Sequence, residues 1–256
     1  MRSDGNTIMI TGGASGIGKA LAEALHKLGN QVILCGRRTA ALAEAAEQHD
    51  GMAYYQLDVT SPESIAEVMR RAIADFPNLN VLINNAGIMI AEDLQTDAID
   101  LSASLATITT NLVGPIRLTA SLLPHLRRQP AATVMMVSSG LAFTPLAMTP
   151  TYCATKAAIH SYAQSLRYQL KETSVEVLEL APPYVQTELM GSDQASDPRA
   201  MPLDEFITES VGLLTSGGTP QGEILVERVK PLRFGEANGN YEEVFAGLNG
   251  AQHLDE

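Results

Sequence analysis

The sequence predicts an α/β fold in which one doubly wound, seven-stranded parallel sheet has helices on both faces. Short apolar runs alternate with longer amphipathic segments along all 256 residues, as in βαβ units. The short runs are continuously apolar, which is typical of strands that helices cover on both sides. No repeat or low-complexity linker interrupts the series, so residues 1–256 are expected to form a single domain.

Seven segments are predicted as strands: residues 7–11, 31–35, 52–57, 80–84, 133–138, 175–180 and 223–227. Amphipathic helices are predicted between them, among them residues 18–29, 39–49 and 61–76. In the last of these, Ser61 is the expected N-cap, with Pro62 at the first helical position and Glu63 in the first turn. The polar stretch GSDQASDPRAMP (191–202) is predicted to be a mobile loop near a ligand, within a lid region of residues 188–220.

Composition limits the partners and the location that we expect. A net charge of −12 disfavours nucleic acid, whose backbone requires clustered Lys and Arg. Cys35 and Cys153 are the two cysteines, and they form neither a disulfide framework nor a metal-ligand spacing, so we expect no metal. No signal peptide is evident, and no apolar run approaches the ~18 residues of a membrane span. A cytoplasmic protein without membrane contact is expected.

A glycine-rich turn, TGGASGIG (11–18), follows the first strand and leads directly into a helix. Such a turn lets the backbone approach a pyrophosphate and directs free helix N–H groups at it. The motif alone leaves an ordinary tight turn equally open. Its place in the first βα connection favours a nucleotide site, formed by Gly12, Ser15, Gly16, Ile17 and Gly18.

Tyr152 and Lys156 lie four residues apart in a predicted helix, on one face and one turn apart. A tyrosine phenol has a pKa of ~10, and a neighbouring ammonium would stabilise the phenolate and lower it. Taken alone, such a pair would more often belong to an ordinary surface helix. Serines Ser138 and Ser139 end the fifth predicted strand, thirteen to fourteen residues upstream.

The motifs TGGASGIG, LDV (57–59), NNAG (84–87), a serine followed by Tyr-x-x-x-Lys, and APPYVQT (181–187) resemble, in this order, those of the short-chain dehydrogenase/reductase family. The resemblance extends from about residue 7 to about residue 190. It implies a single Rossmann-type domain and an oxidoreductase that moves hydride between a nicotinamide cofactor and a carbonyl or alcohol substrate. The segment NLNVLINNAGI and the proline pair are similar to the DltE-like and YdfG-like subgroup.

The resemblance assigns four catalytic residues. Ser139 would bind the carbonyl oxygen, Tyr152 would donate the proton, and Lys156 would bind the nicotinamide ribose and tune Tyr152. Asn111 would hold a water of the proton relay, although it could instead be a helix-interior asparagine that bends the helix. Ser138 is then a structural neighbour.

The resemblance also assigns the remaining cofactor contacts. Asp58 and Val59 would lie against the adenine, and the NNAG motif would line the groove and stabilise the sheet. Val185 and Thr187 would bond the nicotinamide amide, although Pro183 replaces a family glycine and restricts the loop. The candidates of these two segments are Asn84, Asn85, Ala86, Gly87, Pro182, Val185 and Thr187.

Residues 36–38 indicate which cofactor is used. In the family, NAD users commonly carry an acidic residue at the position of Gly36, where a carboxylate would repel a 2′-phosphate. Arg37 stands where NADP users often place a basic residue, and a guanidinium can bind phosphate oxygens in a fork. Arg38 could assist or be a solvated helix-start charge, and Ser15 occupies the other basic site of the family. NADP(H) is therefore expected, with NAD(H) possible.

The substrate is expected to be a small or medium apolar aldehyde, ketone or alcohol. The candidate contacts are mostly apolar and lack clustered cations, although a core role is open for each of them. They are Leu141, Phe143, Tyr184, Leu189, Met190, Met201 and Phe206.

Residues 228–256 extend beyond the seventh predicted strand, with helical periodicity at Tyr241, Val244, Phe245 and Leu248. We expect this extension to pack near that edge of the sheet and to obstruct one tetramer interface. A homodimer built from the helices that carry Asn111 and Tyr152 would result, with a tetramer possible. The alternative to an enzyme is a non-catalytic dinucleotide-sensing protein, which the intact Ser, Tyr and Lys positions disfavour.

Overall fold

A computed structural model describes residues 1–250 and confirms the predicted fold class. Seven parallel strands form one sheet in the order β3-β2-β1-β4-β5-β6-β7. The strands are β1 (Thr7–Thr11), β2 (Gln31–Gly36), β3 (Ala53–Gln56), β4 (Leu79–Asn84), β5 (Ala132–Val137), β6 (Val175–Leu180) and β7 (Glu223–Ile224). The seventh strand is shorter than the predicted 223–227, because its partner β6 ends at Leu180, opposite Ile224.

Nine α-helices connect and cover the strands in the described part of the chain. They are α1 (Gly16–Lys27), α2 (Thr39–Glu47), α3 (Pro62–Asp75), α4 (Ser102–Ile108), α5 (Gly114–Leu126), α6 (Pro150–Leu170), α7 (Leu203–Ser216), α8 (Lys230–Asn238) and α9 (Tyr241–Gly250). The predicted N-cap of α3 is confirmed, since the Ser61 side chain accepts a hydrogen bond from the Ser64 N–H at 3.1 Å. None of these helices is both long and apolar enough to cross a membrane.

Two hydrophobic cores lie on opposite faces of the sheet. Successive residues of a strand point to opposite faces, so Ile8 and Ile10 of β1 pack with α1, α2 and α7, whereas Met9 packs with α3, α5 and α6. All three side chains are fully buried. Both faces are therefore covered, as the continuously apolar strands predicted.

The strand order reverses beside β1, which pairs with β2 on one side and with β4 on the other. In an open parallel sheet, the connections that leave β1 and β4 diverge there and open a crevice beyond the carboxyl ends of the strands. The glycine-rich turn after β1 and the NNAG motif at the end of β4 both lie at this crevice.

The C-terminal helices pack at the edge strand, as expected, and also reach the turn that follows β5. Arg233 of α8 forms an ion pair with Glu223 of β7, with 2.8 Å between Nε and Oε2. The Thr144 hydroxyl donates to the Leu232 carbonyl at 3.0 Å, and the Ala147 N–H donates to Asn249 Oδ1 at 2.7 Å. Helix α9 confirms the helical periodicity predicted at Tyr241, Val244, Phe245 and Leu248, whereas residues 251–256 of the extension lie outside the described residues.

Candidate active site

A cleft of about 2040 Å³ opens at the carboxyl ends of the strands and collects most of the predicted site residues. Its nucleotide side is lined by Gly12, Ser15, Gly16, Ile17, Gly18, Arg37, Arg38, Asn85, Ala86 and Gly87. Its other side is lined by Ser138, Ser139, Leu141, Tyr152, Lys156, Pro182, Tyr184, Val185, Thr187, Leu189 and Met190.

The glycine-rich turn forms a cradle that side chains would fill. Gly12 and Gly16 adopt φ angles of 69° and 52°, a region that residues with a side chain rarely enter. A Cβ on Gly18 would collide with the Gly12 carbonyl and the Asn85 side-chain amide. Helix α1 begins here without a side-chain cap from Ser15, so its first N–H groups are available to an anion.

Thr11 ties the glycine-rich turn to the NNAG motif. Its hydroxyl accepts hydrogen bonds from the N–H groups of Asn85 and Ala86, both at 3.0 Å, and Asn85 Nδ2 donates to the Thr11 carbonyl at 2.9 Å. Asn84 is buried and donates to the Thr119 hydroxyl at 3.1 Å, so it joins the end of β4 to α5, and its predicted role in stabilising the sheet stays a prediction. Thr11 was not among the predicted site residues, and its position as a polar residue ending an apolar strand was the only signal for it.

Arg37 and Arg38 both line the rim of the cleft. Arg38 Nη2 donates to the Ser15 hydroxyl at 2.9 Å, so Arg38, and not Arg37, contacts the other basic position of the family motif. Bonds from Thr60 and, more weakly, the positive charge of Arg37 lower the pKa of Asp58. Gly36, Asp58 and Val59 are outside the cleft lining, so an adenine contact from Asp58 or Val59 stays a prediction.

Tyr152 and Lys156 project from the first turns of α6 and are buried, with 6% and 5% of their surfaces exposed. Lys156 Nζ donates to the Val137 carbonyl at 2.8 Å. It lies 5.5 Å from the centre of the Tyr152 ring. The predicted one-turn spacing is confirmed, and both residues face the end of β5.

Burial dominates the ionisation of this pair. Desolvation raises the pKa of Tyr152 above its usual value, and a hydrogen bond with Ser139 partly opposes that rise. Desolvation also lowers the pKa of Lys156 to about 8, against the opposing charge of Glu179. Burial outweighs any lowering of the Tyr152 pKa by the neighbouring ammonium here, so the expectation that Lys156 lowers the pKa of Tyr152 stays a prediction.

Ser139 stands at the N-terminus of a 3₁₀ turn, Gly140–Ala142, and its hydroxyl accepts from the Leu141 N–H at 3.1 Å. This bond fixes the serine side chain next to Tyr152. Neighbouring Ser138 is 2% exposed. Among the described residues, no hydrogen bond links Ser138 to Tyr152.

Asn111 lies in a π-helical turn, Thr109–Val113, between α4 and α5. Its Oδ1 accepts from the Ile88 N–H at 2.9 Å, and its Nδ2 donates to the Ile88 carbonyl at 2.8 Å. A Cβ on Gly87 would lie 3.3 Å from Asn111 Oδ1 and 3.8 Å from Lys156 Nζ. The asparagine side chain therefore clamps the segment after β4, and its predicted water contact stays a prediction.

Gln194, which the sequence analysis missed, fixes the loop that follows Pro183. Its Nε2 donates to the Val185 carbonyl at 2.8 Å and to the Thr187 hydroxyl at 3.0 Å. Its Oε1 accepts from the Met190 N–H at 3.0 Å. The residue lies inside the polar 191–202 stretch, where composition gave no sign that one side chain would be buried.

Three predicted substrate contacts do not reach the cleft lining. Phe206 is fully buried in the core beside α1. Met201 is 6% exposed and forms a β-bridge with Val185. Phe143 packs its ring on His160, with the ring centres 4.7 Å apart. Contact with a substrate was a wrong expectation for Phe206 and Met201, because the protein itself fills the space around them. Phe143 is half-buried outside the cleft lining, so its substrate contact stays a prediction.

The C-terminal helices supply part of the cleft lining that the sequence analysis did not anticipate. Leu232 of α8 and Leu248 of α9 line it. Leu248 packs against the small cluster of Leu146, Tyr152 and Cys153. Met89, Leu141 and Met148 complete this apolar end.

Comparisons with known proteins identify the family and relatives of this chain. The family model described as short chain dehydrogenase matches residues 6–198. The "Uncharacterized oxidoreductase DltE" of Bacillus subtilis (strain 168) is 41% identical over 251 residues, which are 97% of this chain and 98% of the relative.

Solved structures share the fold. A short chain dehydrogenase from Burkholderia cenocepacia J2315, in complex with NADP, has a TM-score of 0.82 at 24% identity, and covers 97% of this chain and 99% of its own. A short chain dehydrogenase/reductase from Burkholderia phymatum, in complex with NAD, has a TM-score of 0.81 at 19% identity, and covers 97% of each chain.

Proposed function

The chain belongs to the short chain dehydrogenase family of oxidoreductases, and we propose that it uses NADP(H) to interconvert an apolar carbonyl compound and its alcohol. Tyr152 is the general acid/base of this reaction. The observation that carries the proposal is the position of Tyr152, bonded to Ser139 and beside Lys156, in the same cleft as the glycine cradle.

The cradle fits a dinucleotide because it offers backbone and space where side chains are excluded. Gly12 and Gly18 leave no room for a Cβ, and the uncapped start of α1 presents N–H donors and the positive end of its dipole. Thr187 and Val185 line the continuation of the cleft toward Tyr152. When bound there, a nicotinamide dinucleotide supplies or accepts the hydride.

Side chains of the protein bind the substrate oxygen and supply its proton. In the direction of reduction, Ser139 Oγ donates a hydrogen bond to the carbonyl oxygen, and Tyr152 donates its phenolic proton to that oxygen. Lys156 keeps a positive charge beside the phenol, which favours proton release. Proton transfer by a positioned side chain contributes ~10²–10⁴ in rate.

Preference for NADP(H) is supported by residues at the rim of the cleft. Arg37 and Arg38 line it. Gly36 stands where an acidic residue would repel a 2′-phosphate, so that repulsion is absent at this position. Arg38 is held at the cradle by Ser15. The two Burkholderia structures contain NADP and NAD respectively, so the choice in this chain is argued from its own arginines.

The substrate end favours an apolar compound. Met89, Leu141, Leu146, Met148 and Leu248 surround the approach to Tyr152, and such walls bind a ligand by burial of apolar surface. Small or medium aldehydes, ketones and secondary alcohols therefore fit best.

We also propose that the chain forms a homodimer through the helices that carry Asn111 and Tyr152. Leu101, Leu105 and Ile108 are 57%, 60% and 37% exposed at and within α4. Such a run of exposed large apolar side chains is typical of an interface. A face of this kind is self-complementary in a twofold dimer.

A panel of apolar aldehydes and ketones, tested with NADPH and with NADH, examines the proposed function. We expect a loss of reduced-cofactor absorbance with at least one carbonyl, and faster with NADPH. Saturable NADPH binding without turnover of any carbonyl or alcohol would instead favour the non-catalytic dinucleotide sensor.

A further inference from the structure

Two buried carboxylates lie side by side behind the active site. Glu179 of β6 and Glu223 of β7 are register partners in neighbouring strands. Their exposed fractions are 0% and 4%. Two adjacent buried negative charges are strongly unfavourable unless cations and hydrogen bonds compensate them. The side chains that compensate Glu179 and Glu223 are therefore costly to move away.

The compensating groups come from two helices. Arg233 of α8 forms a fork on Glu223, with Nε to Oε2 at 2.8 Å and Nη2 to Oε1 at 3.0 Å. His160 of α6, one turn after Lys156, shares a hydrogen bond with Glu179 at 2.8 Å between Nδ1 and Oε2. The Arg233 guanidinium also lies 4.6 Å from the centre of the Phe143 ring.

His160, Glu179 and Glu223 could also be regarded as a metal-ligand set, since one ligand atom of each lies within 4.8 Å of the others. Both oxygens of Glu223 are already bound by the Arg233 fork. The guanidinium therefore serves as the cation of this cluster. Glu179 Oε1 has no hydrogen-bond partner among the described residues, which makes the cluster depend even more on the charge of Arg233.

The Arg233 fork holds helices that line the substrate side of the cleft. Leu232 is the neighbour of Arg233 in α8, and its side chain would lie only 2.7 Å from a Cβ on Gly140. Leu248 of α9 packs against the cluster around Tyr152. The hydrogen bonds of Thr144 and Asn249 to this region are between neutral groups, whereas the fork joins two opposite charges.

We propose that Arg233 is a specificity-determining residue, because its fork on Glu223 holds α8 and α9 as a wall of the substrate pocket and so limits the size of the carbonyl compound that reaches Tyr152. This inference rests on the proposed function for its catalytic part. If α8 and α9 moved away from the pocket, Glu223 and Glu179 would be buried without the Arg233 cation. The arrangement in which these helices form the pocket wall is therefore strongly favoured.

Hydrogen exchange tests the wall without any need for turnover. Arg233→Met is compared with Lys230→Met, which removes the same charge three residues away, where Lys230 makes an exposed i,i+3 pair with Glu227. We expect amides of residues 230–250 to exchange at least tenfold faster in Arg233→Met and to be unchanged in Lys230→Met. Unchanged exchange in Arg233→Met, or the same increase in both variants, overturns the proposal.

The double variant Arg233→Met/Glu223→Gln separates the ion pair from general damage to the fold. Compared with both single variants, it completes a double-mutant cycle. If the fork holds the wall, Glu223→Gln alone should also speed the exchange of residues 230–250, and the double variant should exchange no faster than Arg233→Met, because the fork is already lost. If the effects of the two single variants add in the double variant, the two residues act independently and the role of the ion pair is rejected.

Substrate size provides the second readout. For two congeners that differ by a ring, the ratio of kcat/KM values for the larger over the smaller should rise roughly tenfold or more in Arg233→Met, since pocket contacts of this size discriminate by 10–200-fold. An unchanged ratio, or activation by divalent cations that EDTA reverses, contradicts the proposal. If no carbonyl is turned over by the wild type, the proposed function fails, while the exchange experiment still decides whether Arg233 holds the wall.

Discussion

Lys156 Nζ lies 5.5 Å from the centre of the Tyr152 ring and donates to the main chain at the end of β5. The ammonium therefore lies beside the ring at a buried position, where burial lowers the pKa of Lys156 to about 8. Lys156 therefore loses its proton within the pH range that kinetic experiments can cover. The ionisation of this lysine, and not only of the tyrosine, should then be visible in the kinetics.

Carbonyl reduction should weaken as pH rises through about 8. Below that pH Lys156 is an ammonium, and above it the charge that assists proton release from Tyr152 disappears. The pH profile of kcat/KM reports groups of the free enzyme and is the measurement to make. Glu179 raises the pKa of Lys156, so Glu179→Gln should move the falling limb to lower pH. A limb that stays in place would contradict this assignment.

Replacing either rim arginine by alanine should reduce discrimination between NADP(H) and NAD(H). A charge-assisted hydrogen bond contributes ~1.5–3 kcal/mol, which corresponds to roughly ten- to a hundredfold in preference. The ratio of kcat/KM values for the two cofactors measures it in Arg37→Ala and Arg38→Ala. Arg70→Ala is the control, because Arg70 is in an exposed pair on α3. Equal use of both cofactors by the wild type would reject the NADP assignment.

Gly18→Ala should weaken cofactor binding by at least tenfold, because the new Cβ would collide with the Gly12 carbonyl and the Asn85 amide. Shifts forced by overpacking typically cost about 1–3 kcal/mol. Fluorescence titration with NADPH measures the loss. Gly212→Ala in α7 meets nothing within 4 Å and should bind NADPH normally. Equal affinities in the two variants would argue against the cradle.

The strands and the local motifs could be predicted from sequence because each depends on neighbours in the chain. Gly12, Tyr152 and Lys156 act within one turn or one helix, and the structure brings them to one cleft. Contacts between distant segments were not predictable. Phe206 is apolar in an amphipathic helix, and nothing in that pattern tells a core residue from a pocket residue. Leu248 packs against the cluster around Tyr152 although the two residues are 96 positions apart in the sequence.

The buried charged cluster could not be predicted from the sequence either. Glu179 is one of the polar residues of VEVLEL, where a carboxylate usually marks a solvated face. It is instead fully buried with His160 and Glu223. Its partners come from α6, β7 and α8, and only the assembled sheet edge brings them together.

Leu105→Glu should convert the proposed dimer into a monomer. Leu105 is 60% exposed on α4, and a carboxylate in a self-complementary apolar face is repelled by its own copy. Light scattering after size exclusion gives the mass. Leu28→Glu, at a 38% exposed position after α1, should leave the dimer intact. A tetrameric wild type at low concentration would contradict the proposed assembly.

Proton transfer by Tyr152 is tested by the variant Tyr152→Phe, which removes only the phenolic hydroxyl. With a carbonyl that the wild type reduces, the variant's kcat should fall by ~10²–10⁴. NADPH affinity, measured by fluorescence titration, should remain within about twofold, because the phenol oxygen is the only group removed. Tyr162→Phe on the same helix should retain full activity. Turnover by Tyr152→Phe at the wild-type rate would rule out Tyr152 as the general acid/base.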